Sequence, residues 1–197
     1  MRKSSAMRVF ASALAIAALL VIAAPSFARD KNETIDATAW GESTQMGRHF
    51  GITVTIYEFS TPEDRQVLQD AFTKGQNQGL VNALTKMKAV GHIAIPGTLG
   101  FDLAYIRMIP TATGRQIRFA TNRKITFGEA YADSQSMAYN LSAGEINIDD
   151  QDKSKSNGVL YPAAQLIIND QGQLQIELRQ NPWRLSDIID WKGTAEN

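Results

Sequence analysis

In "GITVTIYEFS", Ile52, Val54 and Ile56 alternate with Thr53, Thr55 and Tyr57. That is the two-residue period of a half-buried strand built from β-branched residues. The period changes at "STPEDRQ". Thr61 is placed to cap a helix, Pro62 suits its first turn, and Glu63 and Asp64 complement the positive end of the helix dipole. Val67, Leu68, Ala71 and Phe72 then share one face, and Gly75 is able to close the helix in the left-handed conformation. Beyond "GQNQG", Leu80, Val81, Leu84 and Met87 repeat the helical spacing until Gly91 ends it. The pattern predicts a two-helix hairpin that buries Leu68, Phe72, Leu84 and Met87 against a sheet and leaves Gln69 in water.

From His92 onward the chain reads as β. "HIAI", "FDLAYIRMI", "RQIRFATNRKITF", "SMAYNLSAGEINID" and "VLYPAAQLIIN" follow one another with short turn clusters between them. "QLQIELRQ" is the cleanest alternation: Leu174, Ile176 and Leu178 on one face, Gln173, Gln175, Glu177 and Arg179 on the other. A sheet with one face on the core and one in water favours antiparallel pairing. Residues 29–48 are more polar and read as a flexible segment with one short strand around Thr34–Gly41. Residues 49–192 read as a single globular domain and 193–197 as a tail. The fold class expected is α+β: an antiparallel β-sandwich or partly open barrel, with a two-helix hairpin inserted after an early strand. The order of elements also resembles the helix-grip fold of START-like lipid carriers. That fold needs a long C-terminal helix, whereas "NPWRLSDIIDWKG" is short and opens with Asn-Pro, so the sandwich is preferred.

Composition changes the picture at the N-terminus. Arg2, Lys3 and Arg8 precede an uncharged, apolar run from Val9 to Ala24, and Pro25, Ser26 and Ala28 complete a cleavage pattern. Residues 1–28 are therefore expected to be a signal peptide cut before Arg29, since the run is shorter than the roughly 20 apolar residues that span a bilayer. The product is expected in the periplasm or outside the cell, without a membrane span after cleavage. Cleavage removes three basic residues and no acid from a chain with 20 of each, leaving a net charge of −3. That balance gives no electrostatic footprint for nucleic acid. The chain has no cysteine, so neither disulfides nor a lipidated cysteine are available and core burial must hold it together.

Candidate chemistry is sparse. In "DDQDKSKSNG", Asp150, Asp152 and Ser154 match three ligand positions of a calcium loop, but Lys155 stands where the loop needs glycine and Tyr161 where it needs glutamate. The segment is expected to be a turn. His49 and His92 are the chain's two histidines, and neither lies in a metalloprotease or triad motif. His92 is expected at a helix C-terminus and His49 in a surface turn. Carboxylate chemistry leaves no motif, and Asp102, Glu129 and Asp133 are candidates only in lying near strand ends, where most acids are ordinary surface residues. Arg115, Arg118, Arg123 and Lys124 give a positive bias, read as the polar outer face of an edge strand. No catalytic, cofactor-binding or metal-binding residue is assigned, and no cofactor is expected.

The phrases "STPEDRQVLQDAF", "PTATGR", "GVLYPAAQLIIND" and "NPWRLSDIIDW" together resemble a group of exported bacterial proteins of unknown function. The resemblance implies export and a single domain, and carries no site residues with it. The functional expectation is a non-enzymatic binding or accessory protein, with an unknown protein or envelope component as partner. The alternatives are a carrier of a small apolar ligand held between helical hairpin and sheet, and a hydrolase with an unrecognised site.

Overall fold

The computed structural model describes residues 32–125 and 139–191. The expected signal peptide, Glu129 and Asp133 lie outside the described residues. Ten strands form one antiparallel sheet: β1 (Glu33–Gly41), β2 (His49–Ile56), β3 (Gly91–Ala94), β4 (Phe101–Leu103), β5 (Tyr105–Pro110), β6 (Gly114–Thr121), β7 (Leu141–Asp149), β8 (Asn157–Ile168), β9 (Leu174–Leu178) and β10 (Trp183–Trp191). A helix, α1 (Pro62–Lys86), lies between β2 and β3.

The strand order is β4-β3-β2-β1-β10-β8-β7-β6-β5, with β9 attached to β8. The two ends of that order, β4 and β5, are separated in the chain by Ala104 alone. One run of backbone thus pairs with β3 in its first half and with β6 in its second, which rolls the sheet into a nearly closed barrel. At the seam Ser60 N–H donates to the Ile106 carbonyl at 2.8 Å, and Ile106 N–H donates to Ser60 Oγ at 3.0 Å. The preferred sandwich is corrected accordingly: a single sheet closes on itself, and among the described residues no second sheet packs against it. β1 covers the short strand expected around Thr34–Gly41 and is an interior strand, flanked by β2 and β10.

The alternating residues point their apolar members into the barrel. Ile35, Ile52, Val54, Ile93, Ile106, Ile117, Ile146 and Leu160 are all essentially inaccessible to solvent. Opposite Phe119, a Cβ at Gly144 would collide with the aromatic ring, so the ring occupies the space that the glycine leaves. One end of the barrel is filled by charge. Arg115 donates to both carboxylate oxygens of Glu33, one of them at 3.1 Å, and to Asp190 Oδ2 at 2.5 Å. Burial by itself pulls the Arg115 pKa down. The hydrogen bonds and negative charges of Glu33 and Asp190 outweigh it and hold the guanidinium above its ordinary value. The outer face carries the polar residues Thr53, Thr55, Arg118, Glu145 and Asn147 together with the exposed Trp40, Ile189 and Trp191. Among the described residues no helix is long and apolar enough to cross a membrane.

The expected two-helix hairpin does not form. Residues 62–86 form a single element broken by a kink, two helical halves that meet directly at Gly75 (φ −141°, ψ 16°) and Gln76 (φ 47°, ψ −139°) without a hairpin loop. Gly75 does not take the left-handed conformation; Gln76 carries the positive φ instead. "GQNQG" stays inside the element because its side chains find partners there. Asn77 Oδ1 accepts from the Leu166 N–H of β8 at 2.9 Å, and Asn77 Nδ2 donates to Asn140 at 3.0 Å. The helix start matches its residues: Thr61 Oγ1 accepts from Asp64 N–H and Asp64 Oδ2 accepts from Thr61 N–H, a capping box.

The buried stripe of α1 is narrower than its spacing predicts. Leu68, Val81 and Leu84 are buried against Ala104 and Leu141 on the outside of the barrel. Phe72 and Met87 are only half-buried, and Val67 is 55% exposed. Gln69 is exposed, as its position on the helix suggested. Each half of the kinked α1 meets the convex barrel along a narrow strip, Leu68 in the first and Val81 and Leu84 in the second, so residues at the margins of the apolar face stay wet.

Candidate functional site

A cleft of about 880 Å³ opens where the end of β1 meets β10 and the β7–β8 connection. Trp40, the next-to-last residue of β1, forms its aromatic wall. The indole is fixed from two sides: Nε1 donates to Ser186 Oγ at 2.8 Å, and the ring stacks on His49 with centroids 4.7 Å apart and planes 24° apart. The stacking follows from register, since Trp40 and His49 are directly paired across β1 and β2. Even so, 42% of Trp40 remains accessible.

The turn after β1 builds the rim. Gln45 N–H donates to the Glu42 carbonyl and Met46 N–H to the Ser43 carbonyl, and the turn returns with Gly41 N–H donating to the Arg48 carbonyl. A Cβ at Gly41 would strike Gln45, so only glycine lets this turn fold back so closely. Ser43 sits in the left-handed region at φ 54°, a conformation that stores strain in a non-glycine residue. Glu42 Oε1 and Arg184 Nε stand 3.4 Å apart across the rim, and both side chains are well exposed. Ser154, Ser156 and Asn157 line the opposite side. Ser154, Asn157 and Ser186 are engaged within the protein. The groups turned to the cleft are therefore the held aromatic face and the exposed Glu42–Arg184 pair, equipped for stacking and charge-assisted hydrogen bonding.

His92 and Asp102 lie in a second, smaller cleft of about 330 Å³. They are directly paired across β3 and β4, and His92 Nδ1 is 3.1 Å from Asp102 Oδ1. His92 is therefore a strand residue, in place of the expected helix C-terminus. A Cβ at Gly100 would overlap His92 Nε2, so the ring sits closely over that glycine. The hydroxyl lining this cleft is Thr85, which donates to the Val81 carbonyl at 2.8 Å and accepts from Asn122. A histidine oriented by a carboxylate resembles two members of a triad, but this hydroxyl is committed to its own helix.

"DDQDKSKSNG" forms a turn whose carboxylates are engaged by backbone. Asp149 Oδ1 accepts from Gln151 N–H at 2.9 Å and from Asp152 N–H at 2.8 Å. Asp152 caps the short 3₁₀ turn Lys153–Lys155, accepting from Ser154 N–H and Oγ. The backbone bond from Asp152, with further bonds from the Thr113 side chain and the Gln151 backbone, lowers the Asp149 pKa. The Ser154 side chain and backbone lower that of Asp152. Among the described residues no cluster of three or more metal-ligating side chains occurs.

The four basic residues are dispersed. Arg115 points into the barrel, Arg118 pairs with Glu145 at 2.9 Å, Arg123 borders the His92 cleft, and Lys124 lies beyond the end of β6. β6 is not an edge strand, because β5 and β7 flank it, so the edge-strand reading of this segment is corrected. The Trp40 cleft was missed by sequence reasoning, which places Trp40 only within the short strand around Thr34–Gly41. The usable signal was a tryptophan at the end of an alternating strand beside a glycine. No family model, curated protein or solved structure matches this chain.

Proposed function

We propose that this is an exported, non-enzymatic binding protein of the bacterial envelope that recognises glycan chains in the Trp40 cleft. The carrying observation is the contrast between a barrel interior packed with side chains and an open cleft walled by a fixed, part-exposed indole. A saccharide offers a C–H face for the indole and hydroxyls for the exposed Glu42 and Arg184 at the rim. Leu68, Val81 and Leu84 of α1 pack directly on Ala104 and Leu141. The opening beside the C-terminal end of α1 is the smaller His92 cleft, with Thr85, Asn122 and Asp102 among its lining, a poorer fit to an apolar ligand. The cleavable N-terminal pattern and the resemblance to exported proteins support the location.

The test is retention of the purified exported chain on isolated envelope polysaccharide, alongside tryptophan emission during titration with soluble glycan fragments. Saturable binding with an emission change, lost in Trp40→Ala and kept in Trp191→Ala, is the expected result. Absence of retention, or equal retention by both variants, overturns the reading.

A further inference from the structure

β9 has the alternation of a core strand and none of its burial. Leu174, Ile176 and Leu178 are 63%, 51% and 39% exposed, and Ile168 beside them on β8 is 44% exposed. Among the described residues β9 pairs with β8 alone. At the two ends of that ladder Asn169 N–H donates to the Gln173 carbonyl and Arg179 N–H donates to the Ala163 carbonyl, both at 3.0 Å. Residues 173, 175, 177 and 179 therefore turn their backbone groups toward β8. The N–H and C=O groups of Leu174, Ile176 and Leu178 face the open edge. Open backbone groups and exposed apolar side chains belong to the same three residues. Native edges are commonly protected by lysine, proline or a bulge; residues 174–178 contain neither lysine nor proline, and their register with β8 is unbroken.

The geometry points to β9 as the two-fold seam of a homodimer, in which two copies add edge to edge, antiparallel, with Ile176 opposite Ile176 of the second copy. The occupant follows from self-complementarity. In this register Leu174 meets Leu178 of the other copy and Leu178 meets Leu174, so each outward-facing residue finds another and exchanges both its hydrogen bonds. A slip by one residue sets them against residues whose backbone groups already serve β8. A slip of two toward Arg179 places the two Glu177 carboxylates opposite each other, which like charge disfavours. A slip of two toward the turn puts Leu178 opposite Gly172, at φ 74° and outside the strand. In the central register Glu177 faces Gln175, and both apolar stripes fall on one face of the joined sheet. A two-fold contact of this kind closes on itself, leaving no open β9 edge to recruit further copies. This surface is separate from the Trp40 cleft, and the inference does not depend on the glycan reading.

Sedimentation of the purified exported chain over a range of concentrations is expected to show a monomer–dimer equilibrium. Ile176→Lys, which sets two ammonium groups face to face, is expected to weaken dimerisation by at least about tenfold while leaving the near-ultraviolet circular dichroism unchanged. Hydrogen exchange is expected to protect the amides of Leu174, Ile176 and Leu178 as concentration rises, with those of Gln175 and Glu177 unaffected. The chain has no cysteine, so Ile176→Cys introduces a single thiol, and a short thiol cross-linker is expected to trap a dimer that Gln171→Cys does not give. That cross-link needs no lysine variant to fold. A monomer at every concentration, a dimer indifferent to Ile176→Lys, or a monomer whose β9 amides are protected only by a different protein overturns the inference.

Discussion

β7 and β9 have the same kind of sequence and opposite fates. In β7, Ile146 and Ile148 alternate with polar residues and are buried in the barrel. In β9, Leu174, Ile176 and Leu178 alternate just as strictly and stand in water. The difference lies in the neighbours. β7 is held between β6 and β8 with its apolar face toward the interior, whereas β9 pairs with the far end of β8, beyond the residues that β10 uses. Alternation dictates that a segment is a strand and which face is apolar. Whether that face is covered depends on strands far away in sequence.

The largest expected effect tests the charged end of the barrel. Arg115→Ala leaves Glu33 and Asp190 side by side and partly buried, and loss of one member of such a group typically costs about 3–5 kcal/mol. Chemical denaturation should show that loss as a lower midpoint, and a wild-type midpoint would place the triad outside the cooperative core. The β7–β9 contrast is tested more directly by a matched pair of truncations. Ile146→Ala is expected to cost about 2–5 kcal/mol, while Ile176→Ala, measured in dilute solution, should change stability by no more than about 0.5 kcal/mol. Comparable losses in the two variants would mean that β9 is covered in the native protein.

The smallest effect belongs to the β7–β8 turn. The Asp149 pKa is lowered in the folded chain, so its contribution is present above the unfolded carboxylate pKa and lost as pH falls through the folded value. Carboxyl titration by NMR should place Asp149 below the ordinary aspartate range. Asp149→Asn should remove a small part of the acid-induced loss of stability, and an identical acid profile in wild type and variant would remove the turn from that account.

These contrasts also show where the sequence was readable. The strands β2, β6 and β8 and the capping box at Thr61 were legible because their signals are local: β-branched alternation, and a threonine followed by acids. The break in α1 was misread as a loop because Gly75 suggested a stop, while the contacts that keep Asn77 in the helix come from Leu166 and Asn140. The single-sheet closure was hidden for a related reason. It requires β4 and β5 to serve opposite edges, which no local pattern announces. At the candidate sites, His92 and Asp102 were both noticed, yet their contact depends on β3–β4 register. Trp40 and His49 meet by the same kind of accident of pairing.

The pairing of β1 with β10 has a consequence for the order in which this chain can fold. Among the described strands β1 leaves the ribosome first and β10 last, and they pair from Thr34↔Trp191 to Gly41↔Trp183 with a register shift between Asp36 and Thr38. Until β10 has been delivered, the edge of β1 that receives it stays open, and Ile35, Ala37 and Ala39 lack the neighbour that seals them. Such long-range pairing is paid for in loop entropy before any contact rewards it, which slows folding. A partly synthesised chain therefore cannot complete its barrel, because β1 keeps an unpaired edge until β10 arrives.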